Sequence, residues 1–215
     1  MAADSPSTPA GSGHGGRLTL WGVAAVFLAV SMFGGHQQPD DAPGTPRASG
    51  AGAAASADPR QTGEALSRSA PTRLRIPKIA VDAPFTTLSL GASGQLQPPP
   101  AADTNLVGWY SDGVSPGEPG TAIIAGHVDT VTSPAVFANL DELEPGDRFS
   151  VERSDGHTAE FVVDDAETFA KDDFPSERVY ADASRPEVRL ITCAGDYDHD
   201  VRDYTDNLVV FAHLE

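Results

Sequence analysis

The sequence contains a single cysteine, Cys193, among its 215 residues. One cysteine cannot form a disulfide within the chain, so a disulfide framework is excluded. Lysine is almost as scarce, because only Lys78 and Lys171 accompany 12 arginines. The 18 prolines and an apolar content of 40% argue against a helical bundle. The length suits one domain of ordinary size with extensions.

Positively charged residues are also few compared with negatively charged ones, and the formal net charge is −17. Residues 1–70 are nearly neutral, whereas residues 71–215 hold 10 basic and 26 acidic residues, a net charge of −16. An acidic domain of this kind repels phosphate, so nucleic acid is excluded as an expected partner. The acidic residues show no EF-hand or other dense ligand spacing, so neither a metal nor a cofactor is predicted.

One long apolar segment lies near the amino terminus. Residues 18–35 carry no charge and, as a helix, would span roughly 27 Å, close to the ~30 Å hydrocarbon core of a bilayer. A single-pass anchor and a cleaved signal peptide are both compatible with this length. No Ala-x-Ala site directly follows the segment, where the chain continues with His36-Gln37-Gln38-Pro39, and this favours the uncleaved anchor. Arg17 precedes it, so the positive-inside rule places the amino terminus in the cytoplasm.

Composition predicts four regions along the chain. Residues 1–17 are rich in Ser, Gly and Pro and are predicted to be a disordered cytoplasmic tail, followed by the anchor at residues 18–35. Residues 36–71 are runs of Ala, Gly, Ser and Pro, which predict a flexible linker with a reach of roughly 30–35 Å. Residues 72–215 are the predicted folded domain, which we expect to stand off the outer face of the cell membrane.

Short apolar segments separated by turn signals predict the fold class of the domain. Proline interrupts the alternating segment 74–81 at Pro77, which predicts a kinked strand at a sheet edge. The Asp155-Gly156 pair predicts a hairpin between two further strands. Many short strands with at most short helices predict an all-β barrel or sandwich.

Two predicted strands end in residues suited to nucleophilic chemistry. One predicted strand leads into Cys193 and another leads into His127. A thiol and an imidazole placed by two such strands are typical of an enzyme with a cysteine nucleophile. Such a nucleophile also needs donors for the oxyanion of its tetrahedral intermediate. Arg202 is the only lysine or arginine after the cysteine, and the backbone N–H of Ala194 offers a second donor. Taken singly, each side chain is more often structural: a core cysteine, a polar strand-end histidine and a surface arginine.

Three segments resemble the sortase family of enzymes. Leu190-Ile191-Thr192-Cys193 resembles the sortase signature of an aliphatic residue, any residue, Thr and Cys at a strand end. Residues 125–129, Ala-Gly-His-Val-Asp, resemble the sortase histidine segment. Residues 204–212 resemble the last strand of the actinobacterial class F, with class E as the alternative. The resemblance covers residues 73–215 and implies a closed eight-stranded β-barrel with one or two short helices.

The resemblance implies a membrane-anchored cysteine transpeptidase acting outside the membrane. Such enzymes cleave an LPXTG-like sorting signal between Thr and Gly, form an acyl-thioester, and pass the protein to an amine, typically of a peptidoglycan precursor. Carried over to this chain, Cys193 is the nucleophile and His127 the acid/base. Arg202 binds the oxyanion or positions the substrate, and Thr192 and Ala194 support it.

Two alternatives to this enzyme are open on the sequence. A tethered sortase-fold domain that has lost catalysis would serve as a binding module or scaffold. An L,D-transpeptidase would share the chemistry, but its Ser-His-Gly-Cys motif is absent. No Asp-Pro-aromatic lid motif precedes the domain, since Asp58-Pro59 is followed by Arg60, and this argues against a pilin-polymerising type.

Overall fold

The computed structural model describes residues 64–215. The predicted cytoplasmic tail, the predicted anchor at residues 18–35 and residues 36–63 of the predicted linker lie outside the described residues. Between residues 64 and 215, none of the helices has the length and apolar character needed to cross a membrane.

The described part of the chain consists of eight β-strands and a few short helical segments. The strands are β1 (Pro71–Ile76), β2 (Val81–Leu88), β3 (Val107–Tyr110), β4 (Gly120–Gly126), β5 (Arg148–Arg153), β6 (Thr158–Ala170), β7 (Pro186–Asp198) and β8 (Asp203–Leu214). Helix α1 spans Ser176–Tyr180, and single 3-10 turns lie at Pro77–Ile79, Leu140–Glu142 and Lys171–Asp173. The predicted all-β class is confirmed, as is the hairpin at Asp155-Gly156, which joins β5 to β6.

The strands close into a barrel in the order β1-β2-β3-β4-β7-β8-β6-β5. The pairs β2–β3 and β4–β7 are parallel, and the remaining pairs are antiparallel. Closure gives every strand two neighbours, which leaves no unpaired edge to recruit another chain. The predicted eight-stranded closed barrel is therefore confirmed.

The predicted edge strand around Pro77 is wrong. Two strands occupy this segment, and β1 is hydrogen-bonded on both sides, to β2 and to β5. Pro77 opens the 3-10 turn between β1 and β2, where its missing N–H is not needed. Ala80 then takes a left-handed conformation with φ of 55°, which turns the chain back into β2.

Apolar side chains form two clusters on opposite faces of the β4-β7-β8 sheet. Leu190 belongs to the inner cluster inside the barrel, and the next residue, Ile191, belongs to the outer cluster, as expected where successive residues of a strand alternate. The outer cluster comprises Leu88, Leu96, Ile123, Ala125, Val179, Ile191, Val209 and Phe211. Helix α1 and the β2–β3 connection supply Val179 and Leu96, so they cover this outer face.

The last residues of the segment predicted as linker lie against the barrel. Leu66 is buried, and its backbone N–H donates to the carbonyl of Gly117 at 2.8 Å. The buried guanidinium of Arg153 donates to the backbone carbonyls of Ser67 and Pro116. These contacts attach the chain to the barrel before β1 begins.

Candidate active site

The two predicted reactive residues lie on or directly after neighbouring parallel strands. His127 follows the last residue of β4, as predicted. The prediction that a strand ends at Cys193 is wrong, because β7 continues to Asp198 and pairs with β8 beyond the thiol. In the pairing of β4 with β7, Ala125 is opposite Ile191. His127 and Cys193 each follow two residues later, so they lie at the same level of the sheet. Ala125 and Ile191 both pack in the outer cluster, which places this row of side chains on the outer face. No hydrogen bond joins the imidazole to the thiol within residues 64–215.

The imidazole of His127 is held by the β2–β3 connection. Its Nε2 lies 2.8 Å from the carbonyl oxygen of Pro99. A carbonyl oxygen can only accept, so Nε2 carries the proton and donates it, and Nδ1 is the nitrogen left for other partners. Gly126 lets the end of β4 pack closely, because a Cβ there would lie 2.6 Å from the ring of Phe137. The fold therefore sets both the position and the tautomer of the neutral ring.

Cys193 is half-buried on β7 and lies opposite Asn207 of β8. The ammonium of Lys171 is 3.8 Å from the Cys193 sulfur. The same ammonium pairs with Oδ1 of Asp203 at 2.7 Å, and its side chain is only 12% exposed. The thiol thus has a cation in contact with it, and that cation is shared with a carboxylate.

Several opposing effects act on the thiol. Burial raises the pKa of Cys193 above its ordinary value, because it penalises the thiolate. The positive charge of Lys171 lowers this pKa, whereas the carboxylates of Asp203 and Asp129 raise it. Burial and the carboxylates prevail, so the thiol at rest holds its proton more firmly than a free cysteine does.

Arg202 lies in the turn that joins β7 to β8. Its φ of 59° is left-handed, and its backbone N–H closes the turn by donating to the carbonyl of Asp198 at 2.8 Å. The residue is exposed, and within residues 64–215 no hydrogen bond or ion pair involves its guanidinium. Asp203, which flanks it in sequence, pairs with Lys171 instead.

Thr192 and Ala194 flank the thiol in sequence but face the other way. Thr192 is buried opposite Leu208 of the inner cluster, and its hydroxyl has no hydrogen-bond partner among residues 64–215. Ala194 packs against the inner cluster as well. Because neighbouring side chains of a strand point to opposite faces, the side chains of these two residues are directed away from the side of the thiol.

Sequence reasoning missed several polar residues that surround the thiol. They are Lys171, Asp203, Asp129, Tyr204 and Asn207, of which Asn207 is buried with its side-chain carbonyl unpartnered among residues 64–215. The rarity of lysine was the one available signal for Lys171. Within the described residues, no group of three or more His, Cys, Asp or Glu side chains is arranged to hold a metal ion.

A closed eight-stranded barrel that carries a thiol on β7 and an imidazole directly after the parallel strand β4 is the arrangement of a sortase. Residues 74–215 match the sortase domain family. The chain therefore belongs to the sortase family of cysteine transpeptidases. No curated protein matches it by sequence.

Solved structures of sortases are similar to the described fold. Sortase C1 of Streptococcus agalactiae, in complex with MTSET, is 25% identical with a TM-score of 0.51, over 66% of this chain and 66% of that protein. Sortase A of Corynebacterium diphtheriae is 21% identical with a TM-score of 0.50, over 69% of this chain and 62% of that protein. Its lid mutant is 19% identical with a TM-score of 0.51, over 70% and 72% respectively. The chain thus spans about two thirds of the length of these proteins.

Proposed function

We propose that this protein is a cysteine transpeptidase that joins secreted proteins to the cell wall. It cleaves an LPXTG-like sorting signal, holds the acyl group as a thioester on Cys193, and transfers it to an amine, here that of a peptidoglycan precursor. The observation that carries the proposal is the parallel register of β4 and β7, which sets His127 level with Cys193. No cofactor or metal is required by this chemistry.

The reaction begins with loss of the thiol proton to His127. The sulfur then attacks the carbonyl carbon of the signal's Thr, and the carbonyl oxygen becomes an oxyanion. The C–N bond to Gly breaks as the imidazolium returns the proton to the leaving amine. The incoming amine then attacks the thioester carbonyl, and His127 takes a proton from this amine as the new C–N bond forms. The C–S bond breaks, and the imidazolium returns the proton to the departing sulfur of Cys193. Arg202 and the backbone N–H of Ala194 are the proposed oxyanion donors, and Arg202 reaches the intermediate by moving from its exposed turn.

An apolar surface beside the thiol supports a sorting signal as the substrate. Leu90, Phe169 and Phe174 are partly buried against the outer cluster. Phe169 lies opposite Asn207, which in turn lies opposite Cys193, so the aromatic ring and the thiol share one row across β6, β8 and β7. We assign the leucine and proline of the signal to this apolar surface, because their burial would favour binding.

The cellular setting is proposed from the sequence. Residues 18–35 are the proposed single-pass anchor, with the amino terminus in the cytoplasm and the barrel outside the cell membrane. The closing segment 204–212 supports class F as the subfamily, with class E as the alternative. The similarity to class A and class C structures, at 25% identity or less, concerns the fold.

The proposed reaction is tested with the full-length protein, a quenched LPXTG-type peptide and an amine acceptor. We expect the wild type to cleave the peptide and to carry an acyl adduct on Cys193 by mass spectrometry. Cys193→Ala and His127→Ala are expected to lose cleavage while keeping the far-ultraviolet circular dichroism spectrum. Full activity of Cys193→Ala would disprove the proposal.

A non-catalytic scaffold is the second candidate, and the protonated, half-buried state of the thiol favours it. Labelling with a methanethiosulfonate reagent separates the two candidates, because a nucleophile must be accessible and reactive. Rapid labelling of native Cys193 together with peptide cleavage supports the enzyme. A native protein that resists labelling until it is unfolded supports the scaffold.

A further inference from the structure

We propose that Lys171 is a further catalytic residue, whose ammonium stabilises the thiolate of Cys193, and that Asp203 restrains it by competing for the same ammonium. The proposal deepens the proposed transpeptidase function and rests on Cys193 being its nucleophile. It is separate from the proposed oxyanion role of Arg202, which concerns the substrate carbonyl rather than the sulfur.

The strand order explains how a residue so distant in sequence reaches the thiol. Lys171 directly follows β6, whose last residue, Ala170, lies opposite Asp206 of β8. Cys193 lies on β7, the strand on the other side of β8. The lysine side chain therefore crosses over β8, and its ammonium ends 3.8 Å from the sulfur. At this distance the ammonium and a thiolate would form a direct ion pair.

The two lysines of the chain have different surroundings. Lys78 forms a surface network, with its ammonium 3.0 Å from Glu144 and 2.9 Å from Asp147. The side chain of Lys171 is only 12% exposed and lies against the sulfur. A sheltered cation acts more strongly on its neighbour than an exposed one, because less water screens it. Lys78 is therefore a matched control for Lys171.

The remaining charged groups at the thiol oppose ionisation or do not touch it. Asp203 and Tyr204 face it from β8, and Asp129 and His127 face it from the end of β4. Both carboxylates disfavour a thiolate. Among residues 64–215, Lys171 is the one cation in contact with the sulfur. Its pairing with Asp203 at 2.7 Å means that the ammonium is partly neutralised until the thiolate forms.

The experiment is alkylation of the full-length protein by iodoacetamide as a function of pH. Cys193 is the only cysteine, so the rate reports on this thiol alone. We expect Lys171→Met to move the profile to higher pH by about one unit, which lowers the rate near pH 7.5 about tenfold. Lys171→Arg should retain most of the wild-type rate, and Lys78→Met should leave the profile unchanged. Asp203→Asn should move the profile to lower pH, because it releases the ammonium and removes a carboxylate that disfavours the thiolate.

Opposite shifts in Lys171→Met and Asp203→Asn are the result that a merely structural role would not produce. An unchanged profile in Lys171→Met, an equal shift in Lys78→Met, or an upward shift in Asp203→Asn would each overturn the proposal. If Lys171→Met does not fold by circular dichroism, Lys171→Gln replaces it, and an unchanged profile in Lys171→Gln overturns the proposal. Peptide cleavage is measured separately, so a lysine-dependent thiol in a protein that cleaves no peptide would contradict the transpeptidase function only.

Discussion

Tyr204 donates a hydrogen bond of 2.5 Å from its hydroxyl to Oδ2 of Asp129. The bond joins the start of β8 to the segment that follows His127, so it connects the two sides of the candidate active site. It also places the Asp129 carboxylate where its charge acts on both the phenol and the Cys193 thiol. One polar contact thereby joins the start of β8 to the segment that carries His127.

The ionisation of Tyr204 gives the first prediction. The hydrogen bond to Asp129, followed by burial, raises the pKa of Tyr204 to about 12. Because the folded protein keeps this proton longer than the unfolded chain, the stabilisation is complete below the ordinary tyrosine pKa near ~10 and is lost as pH rises to about 12. Absorbance titration at 295 nm should lose one late-titrating phenol in Tyr204→Phe, and that phenol should titrate at lower pH in Asp129→Asn. An unshifted titration in Asp129→Asn would contradict the assigned cause.

Removal of the Tyr180 hydroxyl is expected to stabilise the protein, whereas loss of a hydrogen-bonded hydroxyl usually destabilises one. Tyr180 is the last residue of α1, and its buried hydroxyl has no hydrogen-bond partner among residues 64–215. Burial raises the pKa of the phenol well above its ordinary value. An unpaired buried hydroxyl costs free energy, so Tyr180→Phe should raise the free energy of unfolding by about 1 kcal/mol. Urea denaturation measures the change, and a clear loss of stability would show that the hydroxyl has a partner.

Gly195 is expected to be intolerant of any side chain. Its φ is 78°, and a Cβ there would collide with the side chains of Asp206 and Thr205. We expect Gly195→Ala to lower the free energy of unfolding by about 2 kcal/mol or more and to slow Cys193 alkylation, since the thiol lies two residues away. Gly146→Ala is the control, because φ is 96° there but nothing lies within 4 Å of the added atom. An equal loss of unfolding free energy in Gly195→Ala and Gly146→Ala would show that the side chains of Asp206 and Thr205 move aside without destabilising the protein.

Arg153 is expected to stabilise the attachment of the chain to the barrel. Its buried guanidinium donates to the carbonyls of Ser67 and Pro116, and Arg153→Met would leave both without this donor. Loss of these bonds should lower the free energy of unfolding by about 2–3 kcal/mol and speed proteolysis near residue 67. Arg148→Met, which removes an exposed ion pair with Glu215, should change little. Similar effects of the two substitutions on proteolysis would contradict a specific role for Arg153.

Cys193 and His127 could be recognised from the sequence as the candidate nucleophile and base, because the pattern that marks each of them lies in the residues next to it. An apolar run that ends in Cys193, and another that ends in His127, can be read directly from the chain. Turn signals also predicted the all-β class. The segment around Pro77 was wrongly predicted to be a single strand at a sheet edge. Proline indicates a missing backbone N–H, but the same residue is compatible with an edge strand and with a turn between two strands, and here it lies in a turn.

The sequence by itself therefore determined the fold class, the apolar strand segments that lead to the thiol and the imidazole, and the chemical types of these two groups, because these depend on neighbouring residues. Only the tertiary structure decided which strands lie side by side. Barrel closure sets β4 beside β7 and β6 beside β8, which makes His127 level with Cys193 and brings Lys171 across β8 to the sulfur. Contacts between residues far apart in the chain arise from strand pairing, and no local pattern records them.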